Sequence, residues 1–341
     1  MAIRVGLIGA GGNTRARHIP GFQAIDDVEL VAVCNRSRES GQRVADEFGI
    51  DRVFDDWQAL VADDGVDAIC VGTWPYMHHP ITLAALAADK HLLTEARLAM
   101  DLGQARELLA ASEASDRVAM VVPAPFFLKY EPTVLAMIDA GEFGELREIH
   151  VRGMGGGHAP DAPIAWRGRR ALSGNNIMSL GILNETVRRY AGHESSVMAH
   201  GKIYTTRRVD PETGAMAEVD VPESLGIVAE HESGATAVYH LSTVAHLGAG
   251  GAIEIYGTKA SLRYEGSEAF IARSDESAWR PVEVAPGMEG GWRVEEEFIA
   301  AIRDGAPITH TTFADAVRYM EFTEAVRLSL TEERKVHLPL G

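Results

Sequence analysis

The chain is short of cysteine, of long apolar runs and of positive charge. Only two cysteines, Cys34 and Cys70, occur in 341 residues. Each lies near the end of an apolar run, so both read as small core residues in a reducing compartment rather than a disulfide or a metal pair. No apolar run approaches the length of a membrane span, and Met1-Ala2-Ile3-Arg4 leads into a strand without a signal pattern. A cytoplasmic protein with no membrane partner is expected. Lys and Arg number 32 against 49 Asp and Glu, a net charge of −17. Such a field repels phosphate polymers and anionic lipid, which excludes nucleic acid as an expected partner. His78 and His79 are sequence neighbours and no carboxylate–histidine pair has ligand spacing, so no metal site is expected. There is no nucleophile elbow, no internal repeat and no low-complexity tract.

What is present is concentrated at the N-terminus. Residues 3–8 are an apolar run, and Gly9-Ala10-Gly11-Gly12-Asn13-Thr14 follow at once. A strand that breaks into a glycine turn and then a helix is where a dinucleotide diphosphate can sit. The first glycine permits the tight turn, the second lets the backbone approach the phosphates, and the helix start offers unpaired N–H groups. The third position of the pattern is Thr14 rather than Gly or Ala. A second apolar run, 28–34, ends at Asn35, where such folds place the residue that reads the adenosine ribose. An ordinary glycine turn without a ligand is the alternative, and the second strand argues against it.

The length predicts two domains, placed at 1–123 and 124–341. The first third alternates apolar runs (28–34, 52–54, 68–72, 91–94, 119–122) with helical segments (from the glycine turn to about 26, 38–48, 57–62, 79–88, 101–115). Continuous apolar strands separated by helices mean an α/β fold, a doubly wound parallel sheet covered on both faces. Pro123 and Pro125 punctuate its end. Beyond the turn at 141–144 come longer strands at 147–152, 197–204, 225–231, 235–242, 251–256 and 261–264. These predict an antiparallel or mixed sheet in an α+β domain. Two helices, 295–303 and 314–330, close the chain.

The glycine turn, Thr73-Trp74-Pro75-Tyr76-Met77-His78, Ala88-Asp89-Lys90-His91-Leu92-Leu93-Thr94-Glu95 and Ile255-Tyr256-Gly257-Thr258-Lys259-Ala260-Ser261-Leu262 carry a family resemblance over essentially the whole length. The chain resembles the glucose–fructose oxidoreductase / inositol dehydrogenase / rhizopine-catabolism family (GFO/IDH/MocA). The resemblance implies a Rossmann domain, a C-terminal domain with an open-faced, mostly antiparallel sheet that mediates homodimers or homotetramers, and a nicotinamide cofactor. It also implies a small-molecule substrate among sugars, cyclitols and related polyols.

The departures are as informative. Where the family has Glu-Lys-Pro, with a lysine at the reacting hydroxyl, this chain has Glu95-Ala96-Arg97. Where it has Asp-x-Gly-x-His, this chain has Ser179-Leu180-Gly181-Ile182-Leu183. None of Ala96, Ser179 and Leu183 can act as an acid or base near neutral pH. Different chemistry or none is implied: hydride transfer with non-standard acid–base residues, a lyase, epimerase or glycosidase that retains its nicotinamide, or a non-catalytic sensor.

On the cofactor side, Asn35 removes the charge that would repel a 2′-phosphate, and Arg36, Ser37 and Arg38 suit a phosphate monoester. NADP is therefore expected over NAD, although Arg36 stacking on adenine and Arg38 as a solvated helix residue would serve either. With Gly9, Gly11, Gly12, Asn13 and Thr14, the expected cofactor-binding set includes Thr73, Trp74, His78, Glu95, Arg97, Trp166 and Arg167. Three groups are candidates for the proton that leaves with hydride. Lys129 lies past the last Rossmann strand, or is a surface lysine. His158 lies in the glycine-rich segment 153–160, or on a surface loop. Glu185 lies adjacent to the apolar face marked by Leu180, Leu183 and Val187 on a helix over 177–190, or is a surface carboxylate.

Overall fold

Six apolar runs of the first third become strands β1 (Ile3–Ile8), β2 (Val28–Cys34), β3 (Arg52–Phe54), β4 (Ala68–Val71), β5 (His91–Thr94) and β6 (Ala119–Val121). Every pairing among them is parallel, in the order β3-β2-β1-β4-β5-β6. The computed structural model describes residues 2–155 and 159–341, so the expectation for His158 falls outside the described residues. Helices α1 (Ile19–Gln23), α2 (Arg38–Phe48), α3 (Trp57–Val61), α4 (Pro75–Ala87) and α5 (Leu102–Glu113) connect the strands. β4 is buried along its whole length, as a strand covered on both faces must be.

Helix starts and stops follow local chemistry. Ser37 caps α2 by accepting the Ser40 N–H at 3.2 Å. Asp56 caps α3 through the Gln58 and Ala59 N–H groups, and Asp101 caps α5 through Gln104. Each satisfies amides that a helix N-terminus leaves unpaired. The helix after the glycine turn differs from expectation. It ends at Gln23, and Thr14–His18 is wound as a π-helix, with Ile19 N–H reaching back to Thr14 O. Pro20 has no N–H to donate and its ring crowds the carbonyl four residues earlier, which disfavours regular α winding just before it.

The chain divides into two compact units, Met1–Pro123 with Arg293–Met320, and Ala124–Trp292 with Glu321–Gly341. The first closing helix, α9 (Val294–Asp304, numbered after the helices of the second unit), therefore packs with the parallel sheet. So does the first part of α10 (Phe313–Glu332).

The second unit contains α6 (Glu131–Asp139), α7 (Arg170–Ser173), α8 (Leu180–Ala191) and a nine-stranded sheet. Its strands are β7 (Leu146–Met154), β8 (Glu194–Lys202), β11 (Ser224–His231), β12 (Thr236–Ser242), β13 (Gly250–Gly257), β14 (Ala260–Glu265), β15 (Glu268–Arg273), β16 (Arg280–Pro281) and β17 (Val336–His337). A separate ribbon pairs β9 (Arg207–Val209) with β10 (Met216–Glu218). Within the nine strands only β7 and β12 pair in parallel, so the sheet is mixed and mostly antiparallel. Burial alternates residue by residue along β11 and β12. One face packs on α8 and the 322–326 segment of α10 through Leu183, Val187, Tyr239 and Phe322; the other is open.

In the first unit the close approach of β1 to β4 sets the backbone requirements. Gly9 has φ +85°, and a Cβ there would lie 2.6 Å from Thr73 Cγ2. At Gly72 a Cβ would lie 2.0 Å from Thr14 Oγ1 and 2.5 Å from Gly9 O. Gly72→Ala should therefore destabilise the protein by about 1–3 kcal/mol, the usual cost of overpacking. A lowered midpoint in urea unfolding is expected, and an unchanged one would remove this packing account.

Candidate functional site

The strand order reverses direction at β1 and β4, the place where open α/β sheets bind ligands beyond the carboxyl ends of their strands. A cavity of about 490 Å³ opens there. Gly9, Ala10 and Gly11 form one wall, Asn35 and Arg36 follow β2, and Thr73 and Trp74 follow β4. Asp55, Asp56 and Trp57, after β3, close the far end.

Asn35 ties two of these walls together. Its Oδ1 accepts the Ala10 N–H at 2.7 Å, and its Nδ2 donates to Ser40 Oγ at 3.0 Å. Arg36 lies over the Trp74 ring at 5.8 Å. Arg38 is exposed and ion-pairs with Asp55 at 2.8 Å. The Ser37 hydroxyl oxygen is the α2 cap. Each positive or polar group that sequence reading assigned to a 2′-phosphate thus already has a protein partner.

Gly11 and Gly12 are different. A Cβ on Gly12 would meet nothing within 4 Å, and one on Gly11 only Gly72 O at 3.8 Å. The fold itself does not demand glycine at either position. Thr73 Oγ1 is buried at the same crevice with no hydrogen-bond partner among the described residues. Open backbone in front of a helix start, beside an unmatched hydroxyl, fits a dinucleotide's diphosphate and ribose.

Glu95, at the end of β5, is held by residues that sequence reading did not select. Fully buried His18 places Nε2 3.0 Å from Glu95 Oε1, and its Nδ1 contacts Glu295 Oε1 of α9. Asn13 Nδ2 donates to the same Glu95 oxygen. Burial alone would strip the charge from His18, but hydrogen bonds to Glu295 and Glu95 overcome it and raise its pKa to about 9. Burial likewise opposes the Glu95 carboxylate, and the hydrogen bond and charge of His18 outweigh it, so its pKa is lowered. No sequence signal marked this set, because His18 and Glu295 are 277 positions apart.

His78 is also fully buried, with its two ring nitrogens each 2.9 Å from a carbonyl oxygen, of Arg97 and of Thr73. Burial lowers its pKa, so it fastens the Thr73 turn to the segment after Glu95. Arg97 is buried beside it, and the Ala96–Arg97 peptide is cis.

The second unit gathers its candidates differently. Lys129 is exposed; its Nζ donates to Tyr130 OH at 3.2 Å, and that hydroxyl donates to Glu268. These neighbours raise the Lys129 pKa, with the Tyr130 hydrogen bond foremost. Arg167 lies 4.1 Å over the Trp166 ring. On α8, Leu180, Leu183 and Val187 are buried as expected, but Asn184 and Glu185 are buried as well. Glu185 is thus no surface carboxylate. Its Oε1 accepts the Ala124 N–H at 3.1 Å and pairs with Arg189, whose other arm reaches Glu131 at 2.9 Å. Asn184 donates to buried Glu194, as Tyr239 OH does at 3.4 Å.

The parallel sheet with its glycine turn and the mixed open sheet together match known models. The model of an oxidoreductase family with an NAD-binding Rossmann fold matches residues 3–122, and that of the GFO/IDH/MocA C-terminal domain matches residues 133–263. The chain belongs to the GFO/IDH/MocA family. It is an NAD-binding oxidoreductase of that family. It is 24% identical to myo-inositol 2-dehydrogenase of Thermotoga maritima over 98% of each chain. It is also 34% identical to 1,5-anhydro-D-fructose reductase of Ensifer adhaerens over 51% of this chain and 52% of that one. Among solved structures, levoglucosan dehydrogenase in complex with NADH superposes with a TM-score of 0.87 at 22% identity, over 100% of both chains.

No helix among the described residues is long and apolar enough to cross a membrane, and those residues contain no cluster of three metal-ligating side chains.

The Glu194 contacts give a pH dependence of stability. Burial raises its pKa from 4.5 to about 7, against the opposing pull of Arg188 and Asn184. The folded chain therefore binds a proton that the unfolded chain has already released. Stability falls as pH rises from about 4.5 to about 7, and the loss persists above that. Glu194→Gln should remove the fall, gaining ~1–3 kcal/mol at pH 8 and nothing at pH 4. Urea unfolding at both pH values checks this; a slope like that of the unmodified protein would contradict the buried-acid account.

Proposed function

We propose that this GFO/IDH/MocA protein transfers hydride between a nicotinamide dinucleotide and a sugar, cyclitol or related polyol. The observation that carries the reading is the open, unobstructed backbone at Gly11 and Gly12 beside the unpartnered Thr73 hydroxyl. The diphosphate rests on the amides of the glycine turn, Thr73 and Trp74 border the next part of the dinucleotide, and Glu95 binds the ribose on the nicotinamide side. The bound dinucleotide supplies a hydride acceptor or donor. The protein's part is to hold it, exclude water and handle one proton.

Of the two coenzymes, we infer that NAD(H) is preferred. Arg38 is paired with Asp55, and Asp56 adds a second carboxylate to the same cavity. A 2′-phosphate would gain no net positive field there. This departs from the NADP expectation, which rested on the arginines without their partners.

For the proton, Lys129 and Glu185 remain our candidates. Lys129 stays protonated at neutral pH and suits donation to a carbonyl under reduction better than removal of a hydroxyl proton. Glu185 is ion-paired, and its contact with the Ala124 amide gives it an anchoring role as well. The absence of any titratable group at Ala96, Ser179 and Leu183 favours a second reading, a dinucleotide-binding protein that performs no net oxidation.

We also propose that the open sheet face joins copies of this chain into a homodimer or homotetramer. Met198, Val228 and Val238 are 55%, 52% and 42% exposed. They lie in register across β8, β11 and β12, forming one continuous apolar stripe.

Titration calorimetry with NADH and NADPH tests the cofactor reading. NADH should bind more tightly, and Asp55→Asn should tighten NADPH by roughly threefold to tenfold while leaving NADH nearly unchanged. Equal effects on both would reject the Asp55 argument. Nicotinamide absorbance with a panel of polyols separates turnover from binding alone. If the two candidates act, Glu185→Gln and Lys129→Met each slow the chemical step, and full rates in both would eliminate them. Val228→Lys should shift the particle to a smaller mass by light scattering; an unchanged mass would sink the open-face proposal.

A further inference from the structure

We propose that His18, clamped between Glu95 and Glu295, is a positioning residue whose proton sets the affinity of the glycine turn for dinucleotide. The inference rests on the nucleotide reading above and adds its regulation by pH. Its basis is geometric. His18 is fully buried and its two ring nitrogens contact two carboxylates on different elements. Both carboxylates accept, so both contacts require a doubly protonated ring. Glu95 Oε1 is shared with Asn13 Nδ2, which belongs to the glycine turn itself.

A second observation shows that the clamp shapes the backbone around it. A Cβ on Gly21 would lie 2.6 Å from Glu295 Oε2 and 2.7 Å from its Cδ. The turn of helix after His18 thus carries glycine where the Glu295 carboxylate lies against it. The clamp runs from Gly21 through Glu295, His18 and Glu95 to Asn13.

Other titratable groups face the same place. Cys70 of β4 is buried, and burial first, then Glu95 and Glu295, push its thiol well above the usual range. The pKa of His78 of α4 is lowered, by burial first and by the charge of Arg97 beside it. Near pH 9 His18 is therefore the member of this group that changes charge. When it does, two buried carboxylates lose the cation between them, and an unpaired Glu95 anion is left beside the seat of an anionic ligand. Glu95 and Asn13 then no longer hold the turn, and affinity drops.

The test uses the full chain and NADH, which tolerates alkaline solution. Its Kd is measured from pH 6 to pH 10 for the unmodified protein, Glu295→Gln and Gly21→Ala. In parallel, the His18 midpoint is read without ligand by nitrogen-15 NMR of labelled histidine, with His18→Gln assigning the signal. The expected result is a His18 midpoint near 9, a flat Kd below about pH 8 and a rise of about tenfold by pH 10. Glu295→Gln should lower the midpoint by about one unit or more and carry the Kd rise with it. Gly21→Ala should move both the same way.

A Kd weakened equally at every pH, or a profile that ignores the shifted His18 midpoint, overturns the proposal and leaves nucleotide binding intact. A His18 midpoint near 6.5 overturns it too. Failure of the unmodified protein to bind NADH at any pH overturns the nucleotide reading, and this one with it.

Discussion

Three strand ends must meet almost backbone to backbone for this protein to have a crevice at all. β1 leads into Gly9, β2 into Asn35 and β4 into Gly72, and no side chain can stand between Gly9 and Gly72 without displacing an atom of the main chain. Asn35 bridges the remaining gap by accepting the Ala10 amide. The cavity, the uncrowded backbone at Gly11 and Gly12 and the seat of Thr73 all follow from that junction. Thr14 is part of it. The fingerprint position that normally keeps a helix close to a strand carries a hydroxyl here, and its room comes from the missing side chain at Gly72.

Much of the scaffold was legible from the residues alone, for a physical reason. Strands covered on both faces are largely apolar, so 28–34, 68–72 and 91–94 announced themselves, and the longer strands beyond 141–144 announced an antiparallel or mixed sheet. Side-chain partnerships were not legible. The Arg38–Asp55 pair depends on where β3 ends, which no periodicity encodes, and it gives Arg38 a carboxylate partner that its place in the sequence did not announce. Glu185 sits beside an apolar stripe, where it reads equally as a proton acceptor or as a surface carboxylate. It is buried because Arg189 and the Ala124 amide meet its charge inside. The π-wound turn was hidden because Pro20 reads equally well as an ordinary helix start.

The two halves of the expected chemistry have fared differently in this chain. Groups that would hold a dinucleotide are present and braced by neighbours, some of them, such as His18 and Glu295, deep in the interior. Where the family carries groups that move a substrate proton, this chain has Ala96, Ser179 and Leu183, and of the ionisable alternatives Glu185 is ion-paired with Arg189 while Lys129 donates to the Tyr130 hydroxyl. An acid or base brought by the substrate itself would complete such a site with no further protein group.

The return of α9 to the first unit also bears on how the chain comes to exist. The parallel sheet is fully synthesised long before Glu295 leaves the ribosome. Until then the first unit lacks Glu295, one of the two carboxylates that contact His18. Truncating the protein after its first sheet would freeze it in that state. The familiar practice of excising a nucleotide-binding module at its last strand does not suit this polypeptide.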